Sequence, residues 1–393
     1  MSPNPQTDDL LRWRSEFPIL ERTTYLISNS LGAMPRGVYD ALREYADAWG
    51  TRGVRAWEEK WWMLAMEVGD AIGALMGAPA GSVSVHQNVT LCQAVVASCL
   101  DFSGRRNKIV YSELNFPSVM YFWEAQRTRG ARVEMVKSDD GVTVPTERLL
   151  DAIDEDTLLV PISHVTFRSS FVKDVPAIVE KAQRVGAKVM LDCFHSVGAM
   201  PVDVTALGVD FATGGVLKWL CGGAGVGYLY VRPDLAPTLQ PALTGWFAHQ
   251  EPFSFETGPT RYADPPFRFL QGTTHLPALH AARPGLGIIR EVGVERIREK
   301  SVRQTTRLIE LADQRGWPVN TPRDAKRRGG TVSVEMPNSR EVCAELLKRD
   351  IIVDWRPGAG IRLAPHFYNS DGELELAFAA MDEILSRMRV AAS

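Results

Sequence analysis

Cysteine is scarce and unpatterned in this chain. Its 393 residues hold five, Cys92, Cys99, Cys193, Cys221 and Cys343, an odd number with no CxxC spacing. That excludes a disulfide framework and a thiolate zinc centre as organising features. No stretch approaches the ~18 uninterrupted apolar residues of a membrane span. Met1 to Asp9 is polar and acidic, without the apolar core of a signal peptide, so a cytoplasmic protein is expected. A dominant charge is missing too: the net charge of −3 leaves no basic field for nucleic acid or an anionic membrane surface. Internal repeats and low-complexity tracts are absent. What remains is 45% hydrophobic and 23% charged residues, the composition of a globular chain long enough for two or three domains.

Apolar runs and helical periods alternate through the first two thirds. Short strands are predicted at Val83–Val85, Lys108–Tyr111, Arg132–Val136, Thr157–Ile162, in the run ending at Asp192, at Phe211–Thr213 and at Gly227–Val231. Helices are predicted over 9–20, 36–75, after Asn88, over Val119–Arg129, and around 146–153 and 174–185. Such alternation indicates a mostly parallel sheet covered by helices on both faces. Trp57, Trp61 and Trp62 fit either a substrate box or core and interface packing. Residues 232–284 lack periodicity and are rich in Pro, Phe, Arg and Gly, the kind of long irregular stretch that is usually functional. Residues 285–393 read as a smaller α+β domain, with strands near 330–335, 351–355 and 361–364.

Chemistry concentrates around Lys218, in the glycine-rich apolar run from Ala212 to Gly227. Neighbours that strip water from an ammonium lower its pKa toward the nucleophilic form, and such a lysine can form a Schiff base with a carbonyl. The alternative is a lysine snorkelling at a helix end. Two upstream segments bear on the choice. A short apolar run ends in Asp192, with His195 three residues later, which places a carboxylate where open α/β sheets bind ligands. Asn88 and Thr90 open a helical stretch whose free N–H groups suit a phosphate. An amine for an aldehyde, an acid for a pyridine nitrogen and a phosphate cradle are together what pyridoxal phosphate (PLP) requires.

The chain resembles the class V aminotransferase family of fold-type I PLP enzymes, and within it the kynureninase-like branch. Tyr25–Gly32 is similar to that branch's GNSLG element, Asn115-Phe116-Pro117 to its NFP segment, and Ser163–Ser169 to its SHVNYRTG strand. Thr244–His249, Arg268–Thr273 and Ile361–Asn369 are similar to GWxGH, RFLxGT and IRxAPxPLYN. The match spans roughly residues 20 to 385. The fold implied is α/β, with a mostly parallel seven-stranded sheet in a large PLP-binding domain over 31–284. An N-terminal segment, 1–30, would pack near the active site, and a small C-terminal domain would cover 285–393.

The resemblance also implies roles. Lys218 carries the cofactor, Asp192 holds the pyridine nitrogen protonated, and His195 bonds Asp192 or the cofactor's 3′-oxygen, its alternative being a satisfied core histidine. Phe116 stacks on the ring, and Val89 and Thr90 bind the phosphate. Trp246 and Thr273 reach the phosphate of the neighbouring subunit, which implies a homodimer with shared active sites. Arg362 clamps the substrate α-carboxylate through its planar fork, although an arginine in Ile361-Arg362-Leu363 read alone fits an outward-facing strand position as well. Asn29 and Ser30 lie near the substrate, and Arg168 faces the cofactor's 3′-oxygen or the substrate. Two departures stand out. Leu217 occupies the place of a tyrosine that bonds the phosphate and assists proton transfer, and Val119 the place of an aspartate. The expected activity is a PLP-dependent lyase or hydrolase that breaks a side-chain bond of an L-amino acid, by Cβ–Cγ hydrolysis or C–S β-elimination. The alternatives are an aminotransferase, epimerase or decarboxylating enzyme, and a non-catalytic protein of the same fold. Cysteine desulfurase fits poorly, because Cys343 falls in a predicted helix rather than a mobile loop.

Overall fold

The computed structural model describes residues 8–392, so residues 1–7 of the expected N-terminal segment lie outside it. The elements in chain order begin with β1 Thr24–Tyr25, α1 Val38–Arg52, α2 Trp62–Ala74, β2 Val83–His86, α3 Val89–Ser98, β3 Lys108–Ser112, α4 Pro117–Ala125, β4 Arg132–Val136 and α5 Thr146–Ala152. There follow β5 Thr157–Ser163, α6 Val175–Val185, β6 Lys188–Asp192, α7 Val204–Leu207, β7 Phe211–Gly215, β8 Gly227–Val231, α8 Leu276–Val292 and α9 Val294–Asp313. The C-terminal part adds β9 Val332–Val334, α10 Ser339–Lys348, β10 Ile351–Ile352, β11 Asp354–Arg356, β12 Gly360–Leu363 and α11 Asp371–Ala392.

Seven strands form the central sheet in the order β2-β8-β7-β6-β5-β3-β4. The pairs among β3 to β7 are parallel, and β8 is antiparallel to both of its neighbours. Two antiparallel pairings in succession turn β2 back into the direction of β7. β6, β7 and β8 are buried at almost every position, as strands covered on both faces must be. Of the two edge strands, β2 is buried throughout, whereas three of the five residues of β4 are exposed. Local signals set the ends. Asp174 caps α6 by accepting from the Ala177 N–H at 3.2 Å, and Gly186 closes it at φ +75°. Strand order reverses between β3 and β5, and there an open α/β sheet has its ligand crevice, beyond the carboxyl ends of its strands.

A second apolar cluster unites β9, α10, β12 and α11 with Leu26 of the N-terminal segment. The antiparallel sheet β11-β12-β9 lies within this part. β1 pairs with β10, and the Ser28 hydroxyl meets the Tyr368 hydroxyl at 2.7 Å.

Three expectations need correction. The helix over 9–20 is a 3₁₀ turn, Asp9–Glu16. The helical stretch over 36–75 is two helices, parted at Gly53, φ +56°, and rejoined through a π turn at Trp57–Trp61. Residues 232–284 are irregular only to His275, because α8 begins at Leu276 and runs through the expected boundary at 284. Leu276, Leu279, Ala282, Leu286 and Ile289 recur on one face of α8 and pack into the large core, as do Val294 and Ile297, so the change of core comes within α9.

Candidate active site

The loops after β2, β3, β5, β6 and β7 enclose a cavity of about 330 Å³. Its wall includes Asn29, Ser30, Val89, Thr90, Phe116, Asp192, His195, Lys218 and Arg362. Residues up to 333 positions apart in the chain thus face one space.

Lys218 leaves β7 on a turn fixed from two sides. The Gly32 N–H donates to the Leu217 carbonyl at 2.8 Å, and the Cys221 N–H to the Lys218 carbonyl at 3.1 Å. The backbones meet so closely that a Cβ on Gly32 would stand 2.1 Å from the Lys218 oxygen. The Lys218 Nζ lies 2.8 Å from His195 Nε2 and 4.2 Å from the centre of the Phe194 ring. Burial pushes the Lys218 pKa down to about 7, with the Asp192 charge opposing the shift. Burial also holds His195 well below the usual imidazole range, and the Lys218 and Arg362 charges add to this. The imidazole is therefore neutral, and Nε2 accepts from a Lys218 ammonium. His195 was expected to bond Asp192 or the cofactor's 3′-oxygen; its side-chain partner here is Lys218.

Asp192 ends β6 in register with Ser163 and Thr213. Its Oδ1 accepts from the Phe194 N–H at 3.0 Å. Burial raises its pKa, against the pull of that N–H and of Lys218 and Lys173. A buried carboxylate with this bias is stabilised by a cation placed beside it. At the far wall Asn88 caps α3, its Oδ1 accepting from the Leu91 N–H at 3.0 Å. The N–H groups of Val89 and Thr90, in the first turn, have no intrahelical partners and suit an anion. The cap nestles against Gly227, where a Cβ would meet the Asn88 backbone at 2.7 Å.

Phe116 is 41% exposed and stands edge-on to Phe167, ring centres 5.2 Å apart. Both side-chain polar atoms of Asn29 are buried without a hydrogen-bond partner, on the cavity wall. Buried amides are normally satisfied, so this one marks a ligand position. A phosphate cradle, a buried acid, a desolvated lysine and an orphaned amide around one cavity fit pyridoxal phosphate.

Arg168, expected near the substrate or the cofactor's 3′-oxygen, does not line the cavity, and Trp246 and Thr273, expected at the cofactor of a neighbouring subunit, lie outside the cavity of their own chain. The Arg168 guanidinium is 5.4 Å from the Phe167 ring centre, and Phe167 takes the wall position instead. Thr273 lines a separate cavity with His86, Gln271 and His275. Trp246 joins an aromatic cluster with Trp62, Phe253 and Phe255. Trp57, Trp61 and Trp62 pack among Tyr45, Phe247 and one another and do not line the Lys218 cavity. Sequence reading passed over Phe194, Asp354 and Lys173. Lys173 is 4% exposed, and its Nζ donates to the Ser163 carbonyl at 3.2 Å. Burial pushes its pKa down to about 7. Its local signal, the apolar pair Phe171-Val172 before it, lacks the glycine-rich apolar run that marks Lys218.

The Aminotransferase class-V sequence profile matches residues 24–358. The chain belongs to the class V aminotransferase family. It is a PLP-dependent enzyme of that family. An uncharacterized aminotransferase of Bacillus subtilis (strain 168), YcbU, is 31% identical over 96% of this chain and 97% of its own length. A kynureninase of Bacillus thuringiensis subsp. konkukian (strain 97-27) is 30% identical over 96% of this chain and 92% of its own. Among solved structures, the apo cysteine desulfurase of Thermococcus onnurineus NA1 superposes with a TM-score of 0.85 at 23% identity, covering 98% of this chain and all of that one, a likeness of fold. Among the described residues no helix is long and apolar enough to cross a membrane.

Proposed function

We propose that this enzyme is a kynureninase-like lyase, which removes the Cα proton of an L-amino acid and then breaks a bond in its side chain. The observation that carries the reading is the 2.8 Å contact between Lys218 Nζ and His195 Nε2 inside the cavity. A lysine near pKa 7 takes up a proton at neutral pH, and the neutral imidazole beside it accepts hydrogen bonds from the amine and holds its orientation. Val89 and Thr90 would hold the phosphate, Phe116 the ring face, Asp192 the pyridine nitrogen and Lys218 the aldehyde. Bound there, PLP supplies an electron sink for the charge left on Cα. Arg362 holds the substrate carboxylate, and Asn29 and Ser30 face the rest of the substrate.

Cβ–Cγ hydrolysis, as in the kynureninases that the chain matches, is the first variant. C–S β-elimination is the second, and Leu217 favours it. An apolar side chain on the cavity wall provides no hydroxyl for acid–base work on a side-chain carbonyl, whereas a thiolate leaves without that help. Transfer of sulfur to a protein thiol is disfavoured. Cys343 sits buried on α10 with its thiol pushed up to about 11, and Cys221 is buried with its thiol at about 12.

The test is to load the protein with PLP and offer L-kynurenine, with Lys218→Ala alongside. Anthranilate from the wild type alone establishes the hydrolytic variant. Borohydride-trapped PLP on Lys218 without anthranilate moves the assay to cysteine thioethers, where pyruvate and a free thiol are expected. Formation of an amino-transferred cofactor with either substrate, and no bond cleavage, would refute the lyase reading.

A further inference from the structure

Arg362 has five N–H groups, and three are already committed. Nε donates to Asp354 Oδ1 at 2.8 Å, Nη2 donates to Asp354 Oδ2, and Nη1 donates to the Phe167 carbonyl at 2.7 Å. Asp354 covers the edge of the guanidinium formed by Nε and Nη2, and the Phe167 carbonyl takes one N–H of Nη1. What remains is one N–H on each of Nη1 and Nη2. A pair of N–H groups at the end of a guanidinium plane matches the two oxygens of a carboxylate in spacing. The side chain is 3% exposed yet lines the Lys218 cavity.

Asp354 stands directly across the β11–β12 ladder from Arg362. Two residues on, and therefore on the same face, Arg356 pairs with Asp354, its Nη2 2.9 Å from Oδ2. Arg356 lines the same cavity. Two guanidinium groups and one carboxylate leave a single net positive charge, which one substrate carboxylate neutralises. A buried guanidinium held on both flanks has little freedom to swing, so its end pair is aimed before any ligand arrives.

We propose that Asp354, backed by Arg356, is the positioning residue that aims Arg362 and thereby sets the enzyme's preference for amino acids with a free α-carboxylate. This rests on the reading of the cavity as an amino-acid site. The opposite possibility is that Asp354 competes with the substrate for Arg362, and the two make opposite predictions.

The holoenzyme is titrated with L-alanine and with L-alaninamide, which lacks the carboxylate charge, following the visible absorbance of the bound cofactor. The wild type is expected to favour L-alanine by about tenfold or more, the discrimination that a charged bidentate contact supports. In Asp354→Asn, which keeps the side-chain volume, L-alanine binding should weaken while L-alaninamide is unchanged, so the ratio falls toward one. Arg356→Met should shift the ratio the same way by a smaller factor. PLP content and melting temperature check that each variant is folded, and a merely structural role would not move the ratio. Unchanged or tighter L-alanine binding in Asp354→Asn would overturn the assignment. A wild type that binds PLP but responds to neither ligand would overturn the amino-acid reading and, with it, the role for Asp354.

Discussion

Replacing Gly32 by alanine tests whether the N-terminal segment holds the lysine loop in place. The added Cβ would lie 2.1 Å from the Lys218 carbonyl oxygen, 3.0 Å from Cys221 Sγ and 3.1 Å from Cys221 Cα. Two of these are backbone atoms, so no rotamer change relieves the clash. The segments are also tied by the 2.8 Å bond from the Gly32 N–H to the Leu217 carbonyl, so the loop must retreat by ~1 Å. Overpacking of this kind costs about 1–3 kcal/mol. A displacement of ~1 Å at a reacting group costs roughly 10²-fold in rate. The assay is solvent deuterium exchange at Cα of L-alanine, which needs no knowledge of the natural substrate. Gly32→Ala should lower exchange by about two orders of magnitude. The control is Gly50→Ala, in α1 with no heavy atom within 4 Å of the added Cβ. It should leave exchange unchanged and stabilise the helix by up to ~1 kcal/mol. Exchange in Gly32→Ala within twofold of wild type, at the same melting temperature, would refute the reasoning.

Attachment of PLP to the apoprotein needs the free amine of Lys218, whose pKa burial lowers to about 7. The attachment rate measured by stopped-flow absorbance should therefore rise through pH 6–8 and level off, rather than climbing toward pH 10 as for an ordinary lysine. Trp246 and Thr273 lie outside the Lys218 cavity of their own chain, so mixing Lys218→Ala with Thr273→Ala chains should restore activity that neither has alone; no recovery would exclude sites shared between subunits. Cys343→Ser should retain full activity toward a cysteine thioether, because the buried thiol has no access to the cavity. Lys173→Met, which removes a buried cation near Asp192, should shift the pH dependence of the bound cofactor's absorbance while leaving the PLP content unchanged.

The central strands were legible because a strand covered on both faces is a short continuous apolar run. Gly227–Val231 matches its expected bounds, and so does the exposed edge strand Arg132–Val136, legible from its β-branched and alternating residues. The end of β6 was legible because a buried strand stops where a carboxylate must face the ligand crevice. α8 was misjudged because it holds Pro277 in its first turn and Pro284 in its interior, residues that read as loop. The 3₁₀ turn at Asp9–Glu16 shares its period too closely with an α-helix to be told apart from it.

Partners across the chain were not legible. His195 carries no local sign that it bonds Lys218 rather than Asp192. Lys173, passed over in the sequence, is buried only once the chain folds, with its Nζ on the Ser163 carbonyl at the end of β5.

The sequence alone determined the alternation of strand and helix, the order of cradle, acid and lysine, and the family those residues mark. These follow from local periodicity and from the chemistry that each residue type can perform. Only the tertiary structure decided that Gly32 lies against the Lys218 carbonyl, that Asn29 brings an unpartnered amide to the cavity, and that Asp354 and the Phe167 carbonyl leave Arg362 its end pair. Gly32 and Lys218 stand 186 residues apart and Phe167 and Arg362 195, whereas Asp354 faces Arg362 across a ladder eight positions along the chain; the long-range relations exist because apolar packing brings the N-terminal segment and the C-terminal strands to the same end of the central sheet.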